Sequence, residues 1–413
     1  MLIYSSLCAP RALAYSVGDA VLDSLARDPR IQSALANYAA SKEDIDIARG
    51  GYYPSLNAEA GVGNFAGETE YLLNVRQMVF DWGRVASQVS ASKADSQLAR
   101  EDWQLNRSEA TLEASQTFLN YYQAQQSGAI YSEYLSDLER FIGRAETRAD
   151  SRYSDRVEVD RAQVEKSRAL EVLAAQRGMQ LSASRDFAEL FGREAQHLHL
   201  QPPPTLDIVE LLGESVALEQ RIAEAPRVTA GLAEVQKAQA ELRLTKAQLW
   251  PQVNIEADWV RREFNGDVDT DTVVALRLRS DTFSGTSNFR RPNAAKSRLQ
   301  SQYYELRAAQ RDLRRSVEQL VALQPTLEDR IDALRSQGRR ARQIIDTYEQ
   351  QFLAGLRDFE ELLSVTREHF EARRQQNELE IELRRQQYQV AADFGLLASA
   401  LLAEQPTRRG EHE

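Results

Sequence analysis

The feature that most constrains this chain is the absence of proline over a very long stretch, from Ser55 to Gln201. A proline inside a helix costs about 3 kcal/mol, so a stretch without proline can form an unbroken helix. From Arg84 to about Ser151 the sequence is rich in Ala, Gln, Glu, Arg and Leu, which are good helix formers. A helix over this range would be about 100 Å long. That length predicts coiled-coil packing or a helical repeat rather than an ordinary globular helix.

A shorter return helix is predicted from about Val157 to Phe191, and a second long helical region from about Asn293 to Ala403. Within the second region, apolar and small residues recur at alternating spacings of four and three. These positions are Leu327, Ile331, Leu334, Gly338, Ala341, Ile345, Tyr348 and Phe352. The pattern is a heptad seam, which predicts that this helix packs lengthwise against another helix. A plain two-stranded coiled coil would show the same seam.

The chain also contains an internal duplication, because residues 26–60 align with residues 223–257 without a gap. The identical pairs are Ala26 and Ala223, Pro29 and Pro226, Arg30 and Arg227, Leu35 and Leu232, Ala36 and Ala233, Pro54 and Pro251, Asn57 and Asn254, and Ala60 and Ala257. Each copy is predicted to be a helix of about 30 residues, then a proline, then a strand.

The duplication predicts the organisation of the chain. We expect a first structural repeat over residues 15–201, with a β-hairpin at 55–80 and a long helical hairpin at 84–192. Residues 202–215 begin with three prolines and are interpreted as a linker. The second repeat spans 216–403, with a β-hairpin at 252–280 and a long helical hairpin at 287–402.

The two ends of the chain are interpreted separately. Residues 1–14 contain a short apolar tract followed by Ala12-Leu13-Ala14, which fits a secretory cleavage site. They are interpreted as a signal peptide remnant, and an ordinary frayed terminus is the alternative. Residues 404–413 are polar and are expected to form a disordered tail.

The strands after the two aligned prolines alternate between apolar and polar residues. After Pro54 the apolar positions are Leu56, Ala58, Ala60 and Val62, and after Pro251 they are Val253, Ile255, Ala257 and Trp259. A period of two predicts strands with one apolar and one polar face. We expect the apolar set to face lipid, and we expect Asn254 and Glu256 on the other face to tolerate substitution better than Ile255 does.

Four such strands lead to a prediction about assembly. Strands of about 9–11 residues with these two faces suit a transmembrane β-barrel. Backbone groups in lipid must all be paired, so the sheet must close, and the smallest barrels have about eight strands. The sequence therefore predicts that several copies of the chain build one barrel, whereas two hairpins capping a soluble helical bundle are the alternative.

Composition excludes several classes of function. The net charge of −11 argues against nucleic-acid binding, which needs a clustered basic surface. The single cysteine, Cys8, excludes an intrachain disulfide and a cysteine-based metal site. His197 and His199 lack a third ligand nearby in sequence, and no glycine-rich phosphate loop follows a strand. We therefore predict no enzyme activity, no metal and no cofactor.

Several short motifs, in a fixed order, resemble the TolC-like outer-membrane efflux protein family. In the first repeat they are Tyr53-Pro54 and Gln77-Met78-Val79-Phe80-Asp81-Trp82-Gly83, and in the second Trp250-Pro251 and, more loosely, Phe283-Ser284-Gly285. A further set resembles the branch that serves type I secretion: Tyr348-Glu349-Gln350-Gln351-Phe352-Leu353-Ala354-Gly355, Glu361-Leu362-Leu363 and Phe370-Glu371-Ala372-Arg373-Arg374. The resemblance spans about residues 19–402.

This resemblance implies a mainly α fold with a small β part. Each chain of a homotrimer would give four transmembrane strands to a 12-strand β-barrel in the outer membrane of a Gram-negative bacterium. Long antiparallel coiled coils would form an α-barrel, or tunnel, across the periplasm. The implied partners are a periplasmic adaptor protein and an inner-membrane ABC transporter or other efflux pump, with no nucleic acid.

The resemblance also implies a gate at the periplasmic tip of the tunnel. Phe352, Gly355 and Arg357 match gate positions, Glu361 falls at a constricting acidic ring, and Glu158 falls at its acidic partner in the first repeat. The first tip turn corresponds to Arg152, Tyr153, Ser154 and Asp155, which lacks the glycine usual in the family. Without the resemblance, Arg357, Glu158 and Glu361 would be interpreted as solvated charged groups on helix surfaces.

The favoured interpretation is an outer-membrane channel subunit that exports protein or small-molecule cargo, in a type I secretion system. The alternative is a soluble or periplasmic coiled-coil scaffold or adaptor protein. An adaptor would need a domain with many short strands, and the sequence does not indicate one.

Overall fold

The computed structural model describes residues 14–62, 69–150, 156–213, 215–264, 267–280 and 287–403. The first tip turn (Arg152 to Asp155), most of the candidate leader, the polar tail, the Phe283-Ser284-Gly285 motif and the tips of both hairpins lie outside these residues. The chain divides into two compact units. The first unit has Met1–Asp28, Arg107–Arg221 and Arg314–Glu413, and the second has Pro29–Asn106 and Ile222–Leu313. Each unit therefore takes segments from both sequence repeats.

Helices make up most of the described chain. The α-helices are α1 (Val17–Arg27), α2 (Pro29–Arg49), α3 (Arg84–Asp150), α4 (Arg156–Phe191), α5 (Ile208–Leu212), α6 (Ser215–Glu224), α7 (Pro226–Ala247), α8 (Ser287–Leu353), α9 (Phe359–Asp393) and α10 (Leu397–Ala403). The strands are β1 (Ala14–Tyr15), β2 (Ser55–Val62), β3 (Thr69–Phe80), β4 (His199–Leu200), β5 (Gln252–Phe264) and β6 (Asp267–Arg279). The prediction of a mainly α fold with a small β part is confirmed.

The two longest helices, α3 and α8, have 67 residues each. The bounds of α3 and α4 agree with the helices predicted from the proline-free stretch. Every position of the predicted heptad seam in α8 is buried or half-buried, which confirms that this face packs against other helices. No described helix has an apolar window long enough to cross a membrane.

Aromatic side chains form part of the core of the first unit. Phe118, Phe187 and Phe191 are fully buried, and Tyr15 packs on all three with ring centroids 5.8–6.5 Å apart. The two-residue strands β1 and β4 pair in parallel beside this cluster and hold Tyr15 in place. Aromatic rings bury large apolar areas, so a few of them fix a junction between several helices.

A polar triad joins three helices of the first unit. Glu165 of α4 accepts a hydrogen bond from the Tyr134 hydroxyl of α3 at 2.8 Å and from Arg367 Nη2 of α9 at 2.9 Å. Burial acts to raise the pKa of the Glu165 carboxyl, but the hydrogen bonds from Arg367 and Tyr134 outweigh it and lower the pKa. Burial raises the pKa of the Tyr134 hydroxyl, and the hydrogen bond to Glu165 raises this pKa further. The triad is therefore an ionised carboxylate held by two donors.

The second unit contains a four-stranded antiparallel sheet in the order β2-β3-β5-β6. The register pairs Glu59 with Leu72, Arg76 with Glu256, and Glu256 with Ala275. This register puts the predicted apolar residues of β2 and β5 on one face, together with Val274, Leu276 and Leu278 of β6. The predicted division of these strands into an apolar and a polar face is confirmed.

Candidate functional site

The helix reversal between α8 and α9 carries most of the residues predicted to form a gate. Gly355 has φ +74°, a left-handed conformation that glycine adopts without steric cost. The Gly355 amide donates to the Phe352 carbonyl at 3.0 Å, and the Leu356 amide donates to the Gln351 carbonyl at 2.9 Å. These two bonds define a Schellman motif, which satisfies carbonyls at the end of α8 and starts the reversal.

Phe352 and Phe359 anchor the reversal. Both side chains are almost completely buried, and their rings meet edge to face with centroids 5.7 Å apart. Arg148, near the end of α3, donates to the Phe352 carbonyl at 2.9 Å, and its guanidinium lies 4.3 Å from the Phe352 ring centroid. The reversal of the second helical hairpin is thus bound to a helix of the first hairpin.

Arg357 lies at the centre of a small polar network on this reversal. Its Nη1 donates to Glu361 Oε1 at 2.7 Å, its Nε donates to Gln351 Oε1 at 3.0 Å, and its guanidinium lies 4.0 Å from the Tyr348 ring centroid. The structure therefore brings Phe352, Gly355, Arg357 and Glu361 together around one turn. In the described chain, the ionic partner of Arg357 is Glu361.

Glu158 lies in the first turn of α4 and is half-buried. The sequence predicted that it would be the acidic partner of Arg357 across neighbouring hairpins. That contact remains a prediction, because the described chain is a single copy.

A further set of charges near the reversal was missed by sequence reasoning. Glu349 binds Arg140 and Arg144, and Asp137 binds Arg140 at 2.7 Å and Arg342 at 2.9 Å. Both carboxylates are buried, with side-chain exposures of 10% and 7%. A signal was present in the sequence, since arginines at 140, 144 and 148 lie one turn apart on one helix face. Like charges at this spacing repel, so such a stripe predicts carboxylates on a neighbouring helix.

The polar face of the sheet carries a second concentration of charge, which we call the arginine cluster: Arg76, Arg277 and Arg279 around Glu256. Glu256 binds Arg76 at 2.9 Å, Arg279 at 3.0 Å and Arg277 at 3.2 Å. The Glu256 side chain is 2% exposed, whereas those of the three arginines are 37–50% exposed. Arg277 also binds Asp258 at 2.6 Å. Three guanidinium groups therefore share two carboxylates, and this part of the face carries a net positive charge.

The arginine cluster corrects one expectation. We expected Glu256 to tolerate substitution because it lies on the polar face, but it is the buried counter-ion of three arginines. Removing one partner of a buried ion pair lowers the free energy of unfolding more than removing an exposed charge does. The reason is that the remaining charges are left buried without a charge of opposite sign. Asn254 is also buried, with 3% exposure.

The described residues contain no group of three or more His, Cys, Asp or Glu side chains that could hold a metal ion. The Arg357–Glu361 pair, with side chains 31% and 48% exposed, is a contact that water and salt can replace. The ion pairs of the buried carboxylates Asp137, Glu349 and Glu256 are screened less, and they hold helices or strands together.

Comparisons with known proteins agree on one family. The model of the family described as outer membrane efflux protein matches residues 21–193 and 217–395 of this chain. The outer membrane efflux protein BepC of Brucella suis biovar 1 (strain 1330) is 21% identical over 193 residues. That match spans 45% of this chain and 42% of BepC, which is less than half the length of this relative.

Solved structures show the same fold over almost the whole chain. CusC, described as forming a transmembrane channel, is similar with a TM-score of 0.80 at 15% identity, covering 92% of each chain. The outer membrane protein VceC from Vibrio cholerae is similar with a TM-score of 0.77 at 14% identity, covering 93% of this chain and 95% of VceC. The long helices and the small sheet are therefore shared with outer-membrane channels.

We predict that Glu256→Gln lowers the stability of the sheet by about 1–3 kcal/mol, the cost of leaving buried polar groups unsatisfied. Glu263→Gln, on the same strand, is the control, because Glu263 has one loose contact, to Arg261 at 4.0 Å. The measurement is the thermal midpoint of the β-sheet signal by circular dichroism in detergent. Equal midpoints for the two variants would contradict the role assigned to Glu256.

Proposed function

Because this chain belongs to the outer membrane efflux protein family, and is thus a protein of the outer membrane, we propose that it is the channel subunit of a homotrimeric export system. The channel works with a periplasmic adaptor and an inner-membrane ABC transporter, in a type I secretion system. The observation that carries the proposal is the sheet, which has one apolar face and one charged face and ends in two outer strands, β2 and β6.

The outer strands support assembly from several chains. In lipid, the backbone groups along β2 and β6 must find partners, and pairing β6 of one chain with β2 of the next provides them. Three chains with four strands each would give 12 strands and a closed barrel. The charged face, with the arginine cluster, would then line the lumen, and the apolar face would meet lipid.

The internal repeat supports a specific register for this closure. Glu59 of β2 and Glu256 of β5 are equivalent in the two repeats. Arg76 and Arg279 are also equivalent, because they pair with Ser55 and Gln252 at matching positions of the two hairpins. Since Arg76 lies directly opposite Glu256, the same pairing between chains would put Arg279 of one copy opposite Glu59 of the next.

The assignment to type I secretion rests on the second tip. The segment from Tyr348 to Gly355, followed by Glu361, resembles that branch in sequence, and in the structure it forms the Schellman reversal with the Arg357–Glu361 ion pair. A tunnel tip that opens for a polypeptide needs contacts that can be broken and reformed. Partly exposed ion pairs, worth about 0–1 kcal/mol each, suit that purpose.

Deleting the gene is expected to abolish secretion of one or a few large proteins into the medium and to leave drug susceptibility nearly unchanged. The measurement is the protein content of the culture medium beside minimum inhibitory concentrations, with the plasmid-borne gene as the rescue. Unchanged secretion together with greater drug sensitivity would reject type I secretion and favour a drug-efflux role for the same channel.

The proposed register predicts a disulfide between chains. Directly opposed residues in antiparallel strands have Cα atoms about 4.5–5.5 Å apart, a separation that a disulfide spans. In a Cys8→Ser background, Glu59→Cys with Arg279→Cys should therefore form covalent trimers on oxidation, resolved on a non-reducing gel. Ala58→Cys with Arg279→Cys is the control, because Ala58 lies on the opposite face of β2. A folded protein that stays monomeric in native mass measurements would reject the barrel.

The gate prediction concerns Arg357, Glu158 and Glu361. Arg357→Ser and Glu158→Ala should raise single-channel conductance in planar bilayers, because each removes a charge that holds the closed tip. Glu361→Ala should reduce cation selectivity and, through loss of its bond to Arg357, raise conductance as well.

The control for the gate variants is Arg339→Ser, an exposed arginine on α8 away from the reversal. It should conduct like the parent. If all three gate variants also match the parent, the gate is carried by other contacts, and Arg148 and Glu349 become the next residues to test.

A further inference from the structure

We propose that Trp82 and Trp250, with Arg243 and Lys246 beside them, form a binding site for an anionic phospholipid. The proposal rests on the proposed membrane role of the sheet and adds to it a ligand class and a location. All four residues line one cavity of about 530 Å³ in the second unit.

The aromatic part of the site consists of Phe80, Trp82 and Trp250, which we call the junction aromatics. The two tryptophan rings stack with centroids 4.9 Å apart, and Phe80 meets Trp82 edge to face at 5.0 Å. Nevertheless, about half of each side chain is exposed: 50% of Phe80, 48% of Trp82 and 54% of Trp250. Rings that only filled a core would be buried, whereas half-exposed Trp at the end of a membrane strand is typical of the lipid headgroup level.

Two irregularities of the backbone at the end of β3 position Phe80 and Trp82. The register of β3 against β5 shifts between Met78 and Phe80, so that Phe80 lies opposite Val253 on the apolar face. Without this bulge, Phe80 would share the polar face with Met78. Bulges commonly re-aim a side chain in this way.

The second irregularity is Trp82 itself, the one non-glycine residue with positive φ among the described residues, at +59°. This conformation is a strained outlier for a bulky side chain and needs a compensating structure. The indole Nε1 donates to the Pro251 carbonyl at 3.0 Å, and Asp81 accepts from the Gly83 and Val85 amides at 2.9 and 2.6 Å. Several bonds thus maintain a conformation that exposes the ring, which points to a ligand.

The charged part of the site lies at the end of α7. Arg243 and Lys246 are exposed and three residues apart, so they lie on the same side of the helix as one another. In the described part of the chain neither has a carboxylate partner, whereas Lys237 on the same helix pairs with Asp95 at 2.8 Å. Two uncompensated cations beside a tryptophan pair, on a chain of net charge −11, favour an anionic headgroup.

The position in the sheet identifies lipid, rather than a second chain, as the occupant. The junction aromatics adjoin the end of β3 and the start of β5, which are the two central strands. A neighbouring copy would join at the outer strands β2 and β6. The apolar face that begins at Phe80 and Val253 continues along β5 through Ile255 and Ala257, and it resumes on β3 at Val75 beyond Gln77. It gives the acyl chains a surface next to the headgroup.

The test measures lipid binding to the delipidated full-length protein by native mass spectrometry. The probes are dioleoyl phosphatidylglycerol and dioleoyl phosphatidylcholine. We expect the two positive charges together to favour phosphatidylglycerol by about 10- to 30-fold. Arg243→Gln with Lys246→Gln should remove this preference, and Trp250→Leu should weaken binding of both lipids.

The matched control is Arg339→Gln with Arg340→Gln, which removes the same charge from exposed positions on α8 and should keep the preference. Equal affinity of the parent for the two lipids would overturn the proposal, as would a preference that survives the Arg243/Lys246 change. If such a protein still forms conducting channels in bilayers, the lipid site fails and the channel stands. A parent that neither conducts nor trimerises would instead reject the proposed function.

A second measurement tests whether Trp82 and Trp250 are accessible to lipid or are covered by a second copy of the chain. A variant with Trp103→Phe and Trp259→Phe retains Trp82 and Trp250 as its only tryptophans, which are excited selectively at wavelengths that tyrosine does not absorb. Brominated phosphatidylglycerol should quench this fluorescence more strongly than brominated phosphatidylcholine. Fluorescence that neither lipid quenches would mean that a second chain covers the tryptophans, and would overturn the proposal.

Discussion

The pairing of β3 with β5 is the interaction on which the rest of the second unit depends. It joins residues about 180 positions apart in sequence, for example Arg76 to Glu256, and it is the only described strand pairing between the two repeats within the sheet. The two hairpins on either side are local in sequence, because each joins consecutive strands. The alignment of one hairpin against the other decides which charged side chains meet on the polar face. It also decides which aromatic rings meet where β3 ends and β5 begins.

Sequence periodicity was enough to predict the strands and their two faces, because alternation depends only on each strand's own residues. It could not predict the arginine cluster or the stacked tryptophans, since both depend on the register between distant strands and on a bulge beside Val79. The absence of proline correctly predicted α3 and α4, but the presence of a proline did not mark the end of a helix. Helix α8 continues through Pro325, where packing along a 67-residue helix outweighs the local cost.

At the reversal, the sequence predicted that Phe352, Gly355 and Arg357 lie around one turn, but it did not predict all of their contacts. Gly355 could be identified because a helix end needs a residue with positive φ, a local requirement. The ion pair of Arg357 with Glu361 could also be predicted from sequence, since the two residues lie four positions apart in the chain. The bonds from Arg148 to Phe352 and from Arg140 to Glu349 join separate helical hairpins, and only the three-dimensional packing reveals them.

The duplication explains why two equivalent glutamates have different surroundings. Glu256 lies on a central strand and has arginines from both neighbouring strands, so it is buried and fully compensated. Glu59 lies on an outer strand, is exposed and accepts a hydrogen bond from Asn57 at 2.8 Å. If the same pairing rule operates between chains, Arg279 of a neighbouring copy completes the surroundings of Glu59. One strand-pairing geometry, used once within the chain and once between chains, would then account for both the arginine cluster and the closure of the sheet.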